Sequence, residues 1–129
     1  MNTKFLTEKS RVLLAVSGGV DSMVMLRRFY DLQKTVPFVM EAVTVDHCLR
    51  KNSAEDARFV KEFCETLGVP CRVERADVPT YCKEHRVSAE TGARILRYEI
   101  LQRNAKDFDW VCLAHQAEDQ AETVLMHLL

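Results

Sequence analysis

Excess charge of either sign is missing from this sequence. Its 129 residues carry 18 Lys and Arg against 19 Asp and Glu, for a formal net charge of −1. A nucleic-acid-binding surface that works by charge alone needs a large basic excess, so this composition excludes that class of protein. No apolar run approaches the roughly 20 residues that a membrane helix requires, and the first residues contain no apolar stretch typical of a signal peptide. We therefore expect a cytoplasmic protein without a membrane partner.

Paired cysteine motifs are also absent. The five cysteines are an odd number and no two have the C-x-x-C spacing. This excludes a disulfide framework and a zinc ribbon, and it predicts reduced cysteines that pack as small hydrophobic residues.

The pattern of apolar runs predicts a single α/β domain over residues 1–129. Strands are predicted at 11–16, 37–45, 71–75 and 110–114. Between them the spacing predicts helices at 22–34, 53–67 and 89–106, and a short helix within 76–86. A last helix is predicted from its apolar face, Ala117, Ala121, Val124, Leu125 and Leu128. Because strands and helices alternate, we expect a parallel sheet with helices on both faces and a ligand site beyond the carboxyl ends of the strands. We also expect this domain to be the front part of a longer protein.

Five residues indicate how the helices are bounded or packed. Ser53 with Asp56 three residues later resembles a capping box, and Ser88 is a candidate cap for the following helix. Gly68 is a stop signal. Gly92 costs a helix interior about 1 kcal/mol relative to Ala, so it predicts a close neighbour.

The stretch SGGVDS, residues 17–22, joins the first predicted strand to the first predicted helix. The pair Gly18 and Gly19 lets the backbone turn tightly and approach a ligand closely. A helix that begins just after the turn directs free N–H groups toward an anion, and Ser17 and Ser22 add hydroxyl donors. The stretch predicts a phosphate cradle, although it is not a Walker A loop, which requires a lysine.

Asp21 lies in the same stretch and needs its own explanation. A carboxylate repels phosphates unless a cation stands between them, and Mg²⁺ prefers carboxylate and phosphate oxygens. Aspartate is also common at a helix start, where it caps free N–H groups. Spacing alone leaves a metal ligand and a helix cap as equal alternatives.

Basic side chains follow the second strand and lie on a later helix. VDHCLR places His47 and Arg50 just past the strand, and ETGARILRY places Arg94 and Arg97 on one helix face. Phosphate or RNA contacts suit the arginine fork. The alternative for Arg94 and Arg97 is a surface ion pair with Glu90 or a neighbouring acid.

The stretch LAHQAEDQAET carries His115, Asp119 and Glu122 along one predicted helical stripe. His115 is a candidate general base or a structural cap. Asp119 and Glu122 are candidates for the site or for a solvated helix face.

Strand–SGGxDS–helix resembles the pyrophosphatase loop of the ATP pyrophosphatase, or PP-loop, superfamily. The four stretches in this order resemble the tRNA(Ile)-lysidine synthetase family over residues 12–125. The specific elements are H-x-L-R, AR-x-x-RY and H-x-x-x-D-Q-x-ET, since SGGVDS is shared with GMP synthetase and thiouridylase relatives. Three residues depart from the family's pattern: Gln116 replaces a second histidine, Glu118 a common aspartate and Gly92 an alanine.

This resemblance implies a Rossmann-like, adenine nucleotide alpha hydrolase-like fold, with ATP and Mg²⁺ as cofactors. It implies that ATP is bound by Ser17, Gly18, Gly19, Val20, Asp21, Ser22, His47, Arg50 and Arg97. The catalytic residues that it implies are Asp21, Asp119, Arg94 and His115, with Asp21 and Asp119 as the metal ligands.

The activity implied by the resemblance is lysidine formation. ATP adenylates the oxygen on carbon 2 of the wobble cytidine in a tRNA(Ile) with a CAU anticodon, and pyrophosphate leaves. The amine of free L-lysine then attacks that carbon, and AMP leaves. We expect residues 1–129 alone to bind nucleotide weakly without turnover, and a homodimer is left open.

Two other functions remain as alternatives. An ATP-dependent tRNA sulfur transferase belongs to the same superfamily, but its cytidine-thiolating members carry paired C-x-x-C motifs that are absent here. A non-catalytic nucleotide-binding module would have no use for the paired acids Asp21 and Asp119.

Overall fold

The computed structural model describes the backbone of residues 6–117 and 120–127 and the side chains of residues 6–114. The strands are β1 (Arg11–Ala15), β2 (Val39–Asp46), β3 (Cys71–Arg75), β4 (Trp110–Ala117) and β5 (Gln120–His127). The helices are α1 (Val20–Leu32), α2 (Ser53–Leu67), α3 (Val78–His85) and α4 (Ala89–Asn104), and a 3-10 turn follows at Ala105–Asp107.

The strands form one sheet in the order β3-β2-β1-β4-β5. β1 pairs in parallel with β2 and β4, and β2 pairs in parallel with β3, which confirms the predicted parallel sheet. The chain moves outward from β1 to β3 and then returns to the other side of β1 as β4. This reversal opens a crevice at the carboxyl ends of β1 and β4, where open α/β sheets bind their ligands.

Both faces of the sheet are covered, as predicted. On one face, Leu14 of β1 packs in a buried cluster with Phe29 of α1 and Val60 of α2. On the other, Leu13 of β1 packs with Leu101 of α4 in a second cluster, which also includes α3. Adjacent residues of β1 therefore serve opposite cores, because successive side chains of a strand point to opposite faces.

The helix boundaries confirm two of the predicted signals. Gly68 ends α2 in the left-handed conformation at φ 72°, and the Ser88 side chain accepts a hydrogen bond from the Thr91 N–H at 3.2 Å to cap α4. Gly92 is buried against Cys82, which confirms the expected close neighbour.

The predicted capping box at Ser53 is wrong. Asn52 is the N-cap of α2 and Ser53 is its first helical residue. The Ser53 hydroxyl donates to Asp46 Oδ1 at 2.6 Å instead. A hydrogen bond to a carboxylate is stronger than one between neutral groups, so Asp46 takes the hydroxyl away from the helix end.

The predicted last helix is also wrong. β4 continues to Ala117, and Gln120–His127 forms β5, which pairs antiparallel with β4 from Trp110↔His127 to Ala117↔Gln120. An open strand edge leaves a row of N–H and C=O groups unpaired, and this pairing covers the edge of β4. An isolated helix shorter than about 12 residues is marginal in water, so it competes poorly with the sheet.

Among the helices that the structure describes, none is long and apolar enough to cross a membrane.

Candidate functional site

The turn between β1 and α1 is built on a backbone that only glycine adopts easily. Gly18 has φ +89°, and a Cβ added there would lie 3.3 Å from Val60 Cγ2 of α2. Gly19 is the N-cap of α1 and makes no side-chain cap, so the first N–H groups of the helix face outward. The turn therefore presents the positive end of α1 at the crevice.

Ser22 holds this turn together from inside. Its side chain is buried, donates to the Gly19 carbonyl at 3.0 Å and accepts from the Ser17 N–H at 3.1 Å. The hydroxyl of Ser17 lies 3.1 Å from that of Ser22 and accepts from the Gly19 N–H at 3.3 Å. Ser22 thus fixes the loop, and the exposed Ser17 is the freer hydroxyl for a ligand.

A polar cavity of about 370 Å³ opens at this turn, lined by Ser17, Gly19, Val20, Asp21, Ser22 and Ala114. It combines hydroxyls and a helix N-terminus, the donors that phosphate groups bind in proteins. The predicted loop residues therefore do line one cavity.

A second cavity, of about 190 Å³, adjoins the first and shares Ser17, Ser22 and Ala114 with it. Its walls are mainly apolar and come from β1, β2, β4, α3, α4 and the segments just after β1 and β3: Ala15, Val16, Val43, Val45, Ala76, Val78, Ala93, Leu101 and Leu113. A polar cradle joined to an apolar cavity suits a molecule with a phosphate end and an aromatic base.

Two basic side chains, His47 and Arg97, line the apolar cavity. The Leu49 N–H donates to His47 Nδ1 at 3.1 Å, so the neutral ring carries its proton on Nε2. Arg97 forms no ion pair with the other described side chains. Both residues can therefore act as hydrogen-bond donors to a ligand.

Arg50 and Arg94 lie outside the two cavities. Arg50 Nη2 pairs with Asp56 Oδ2 at 2.8 Å on the exposed surface beside α2. Arg94 is exposed on α4 and forms no ion pair within the described part of the chain. Both arginines are exposed on α4, but Arg97 lines the apolar cavity and Arg94 does not.

Asp21 is half-buried in the first turn of α1 and lines the polar cavity. Within residues 6–114, no three His, Cys, Asp or Glu side chains gather into a metal-binding group. One carboxylate beside a phosphate cradle does fit Mg²⁺, which takes one or two carboxylates together with phosphate oxygens and water. Asp119 and the side chains of His115 and Glu122 lie outside the described residues.

The hydrogen-bonded pair of Asp46 and Ser53, which adjoins His47, was missed in the sequence, where Ser53 was predicted only as a helix cap. Asp46 ends β2, and its carboxylate accepts from the Ser53 hydroxyl and, at 3.1 Å, from the Cys48 N–H. The Ser53 hydroxyl, more than the Cys48 amide, holds the pKa of Asp46 below its ordinary value. The signal that could have found them is an acid at the end of a parallel strand followed by a serine at the next helix start.

The cysteines behave as the sequence predicts. All five are free, and Cys64 and Cys112 are fully buried. Burial raises the pKa of the Cys112 thiol to about 12, so it stays protonated at neutral pH. A protonated thiol in a strand core is a poor nucleophile.

Comparison with known families gives one match over the whole chain. A profile described as a PP-loop domain matches residues 1–129. The matched range includes the turn at residues 17–22 that follows β1.

The curated relatives are longer proteins. The tRNA(Ile)-lysidine synthase of Thermosipho africanus is 44% identical over 123 residues, which cover 94% of this chain and 29% of that protein. The tRNA(Ile)-lysidine synthase of Bacillus thuringiensis subsp. konkukian is 38% identical over 127 residues, or 96% of this chain and 27% of that protein. The chain therefore spans less than a third of the length of these relatives.

A solved structure shares the fold. The U34-tRNA thiolase NcsA from Methanococcus maripaludis, solved with its 4Fe–4S cluster, superposes with a TM-score of 0.71 at 20% identity. The match covers 84% of this chain and 39% of that one. At this identity the likeness shows the α/β fold alone.

Proposed function

Because the chain belongs to the PP-loop domain family, we propose that it is the ATP-binding domain of a tRNA(Ile)-lysidine synthase. The enzyme would adenylate the oxygen on carbon 2 of the wobble cytidine in a CAU-anticodon tRNA(Ile), with release of pyrophosphate. It would then join free L-lysine to that carbon, with release of AMP. Both of the relatives described above carry this name. The proposed location is the cytoplasm, because the proposed substrate is a tRNA. Whether the enzyme is a homodimer is a question that size-exclusion chromatography would answer.

One observation carries the proposal: the polar cavity at residues 17–22 and the apolar cavity share three residues. A phosphate chain in the first would leave the nucleoside to the second. Ser17 lines both cavities, so its hydroxyl would contact ATP near the junction of the phosphates and the nucleoside.

The loop supports the departure of pyrophosphate. When the cytidine oxygen bonds to the α-phosphorus, the bond to the β-phosphate oxygen breaks and negative charge grows on the leaving group. The N–H groups at the start of α1 and the Ser17 hydroxyl are fixed before the reaction, because Ser22 holds the turn. Fixed donors stabilise the developing charge without first having to reorganise.

Three side chains have separate roles in the proposal. His47 and Arg97 bind the nucleoside and α-phosphate end of ATP, since both line the apolar cavity. Asp21 would hold Mg²⁺ beside the phosphates, and that ion would supply neutralising charge. Asp119 is proposed as the second Mg²⁺ ligand, and His115 and Arg94 are proposed as further catalytic residues.

Sulfur transfer is the alternative reaction for this fold. A catalytic cysteine or a cysteine-bound cluster would be needed. The protonated, buried Cys112 does not fit the first role. Within residues 6–114, which hold all five cysteines, no three metal-ligating side chains gather for the second. These observations favour the lysine ligase.

The test is lysine incorporation by the whole enzyme that carries this domain. The protein is incubated with ATP, Mg²⁺, bulk tRNA and radiolabelled lysine, and aminoacyl esters are removed with mild base. We expect ATP-dependent label that remains in the RNA. Pyrophosphate release that depends on a sulfur donor, without base-stable label, would instead assign the protein to thiolation.

A further inference from the structure

We propose that Asp46 is a positioning residue for the nucleotide site and that it acts through His47. The inference rests on the proposed ATP-binding function. Asp46 does not line either cavity, whereas the next residue, His47, lines the apolar one. The question is what holds the His47 ring against that cavity.

Asp46 ties together three parts of the fold at the end of β2. Its carboxylate accepts from the Ser53 hydroxyl at 2.6 Å, at the start of α2, and from the Cys48 N–H at 3.1 Å. Its backbone carbonyl accepts from the Ala76 N–H at 2.8 Å, just past β3. The Ser53 side chain is buried, so its bond to Asp46 is sheltered from water.

The loop that Asp46 holds has a costly backbone. Cys48 has φ +58°, the left-handed region that residues with a Cβ disfavour. Such a conformation persists only where the surroundings impose it. The bond from the Cys48 N–H to Asp46 is the direct restraint on this residue, and the bond from the Leu49 N–H to His47 Nδ1 closes the next turn.

These contacts leave His47 one useful orientation. With Nδ1 engaged by the Leu49 N–H, the remaining ring donor of His47 is Nε2–H, and the residue lines the apolar cavity. Releasing the Cys48 N–H from Asp46 would allow the loop to relax out of the left-handed conformation. The ring would then point toward the cavity in only part of the population, and nucleotide affinity would fall in proportion.

The experiment measures, by calorimetry, the binding of α,β-methylene ATP to the whole enzyme that carries this domain. Asp46→Asn keeps the shape of the side chain and loses the charge, and Ser53→Ala removes the hydroxyl donor. We expect either change to raise Kd by about tenfold, as for the loss of a hydrogen bond to a charged group. Glu55→Gln, an exposed acid in the first turn of the same helix, is the matched control and should leave Kd unchanged.

A double-mutant comparison separates positioning from general destabilisation. If Asp46 acts through His47, Asp46→Asn should raise Kd less than twofold when His47→Ala is already present. Equal effects in both backgrounds would overturn the proposal. Circular dichroism checks folding, and if Asp46→Asn fails to fold, the same comparison with Ser53→Ala decides.

The same binding data test the ATP site and the positioning role of Asp46 separately. A wild-type chain that does not bind the analogue would overturn the proposed ATP site and this inference with it. A wild-type chain that binds, with Asp46→Asn and Ser53→Ala binding equally well, would overturn the role of Asp46 alone.

Discussion

Gly92 of α4 lies directly against the Sγ atom of Cys82 in α3, where a Cβ on residue 92 would collide with the sulfur. The Cys82 thiol donates to the Ser88 carbonyl at 3.2 Å, and Val78 and Tyr81 lie beside the same spot, so the sulfur has little room to move. The glycine is thus a packing requirement between two helices.

We expect Gly92→Ala to destabilise the chain. Alanine gains about 1 kcal/mol of helix propensity, but overpacking costs about 1–3 kcal/mol, so the net change is a loss. In a Cys82→Ala background the collision is removed, and the same substitution should stabilise by about 1 kcal/mol. Urea unfolding of the two single variants and the double variant measures this change of sign.

Cys71→Ala is the control background, because Cys71 begins β3 and lies outside the α3–α4 contact. Gly92→Ala should cost the same there as in the wild type. A Gly92→Ala variant that is stabilised in the presence of Cys82 would show that the sulfur yields without cost.

Asp21→Asn should abolish pyrophosphate release in the whole enzyme while the fold stays intact. The carboxylate lines the polar cavity, and its loss removes the negative charge proposed to hold Mg²⁺ beside the phosphates. We expect a fall of about 100-fold or more, the scale reached when preorganised charge stabilisation is lost.

The matched control is Asp31→Asn on the same helix. Asp31 is exposed and, among the described side chains, forms ion pairs with Arg27 and Lys34 at 3.4 and 3.7 Å. Pyrophosphate release should stay at the wild-type rate. Unchanged release by Asp21→Asn would remove Asp21 from the metal role.

Gly18→Ala should reduce both stability and nucleotide binding. Its φ of +89° is strained for alanine, and the new methyl group would press on Val60. Gly68→Ala provides the comparison, because φ there is +72° with nothing within 4 Å of the added Cβ. Both should lose about 1–2 kcal/mol for left-handed backbone, but only Gly18→Ala should raise the Kd of an ATP analogue. Equal Kd values in the two variants would argue against the loop as the phosphate site.

Local signals in the sequence predict most of this fold. Apolar runs bounded by glycine or proline locate β1, β2 and β3, and an apolar run alone locates β4. Gly68 and Ser88 mark helix ends through contacts within a few residues. Residues 120–127 were misassigned because their apolar spacing suits a helix, whereas pairing with β4 depends on an open edge that the sequence does not display. Ser53 was misassigned because its partner, Asp46, lies seven residues upstream.

The site was predictable in outline. The turn at 17–22 is evident from its glycines, and a site beyond the carboxyl ends of the strands follows from the alternation of strands and helices. The strand order, and with it the switch point between β1 and β4, was not predicted. The choice between Arg94 and Arg97 was not predictable, because both occupy neighbouring positions of α4 and only the rotation of that helix against the sheet decides which one lines the cavity. The roles of the individual residues in catalysis stay predictions.

Arg97→Gln should weaken ATP-analogue binding more than Arg94→Gln does. Arg97 lines the apolar cavity, and Arg94 is exposed outside it. Loss of a charged hydrogen bond predicts a rise in Kd of about tenfold for Arg97→Gln. Calorimetry on the two variants measures the difference, and the reverse order would place Arg94 on the nucleotide instead.

Glu74 predicts how stability changes with acid. The hydrogen bond from Arg103 lowers the pKa of Glu74 below its ordinary value of 4.5, and the Asn104 amide, 3.2 Å away, adds to the effect. A carboxyl whose pKa is lower when folded stabilises the fold above its unfolded pKa, and it loses that contribution as pH falls through the folded value.

Arg103 is mostly exposed, so we expect Glu74→Gln to cost less than about 1 kcal/mol at pH 7. In urea unfolding from pH 7 to pH 3, the gap between the variant and the wild type should close below about pH 4.5. Glu62→Gln, at an exposed glutamate of α2 that forms no ion pair with the described side chains, is the matched control. A Glu74→Gln gap that stays constant down to pH 3 would show that the carboxylate charge contributes nothing to this contact.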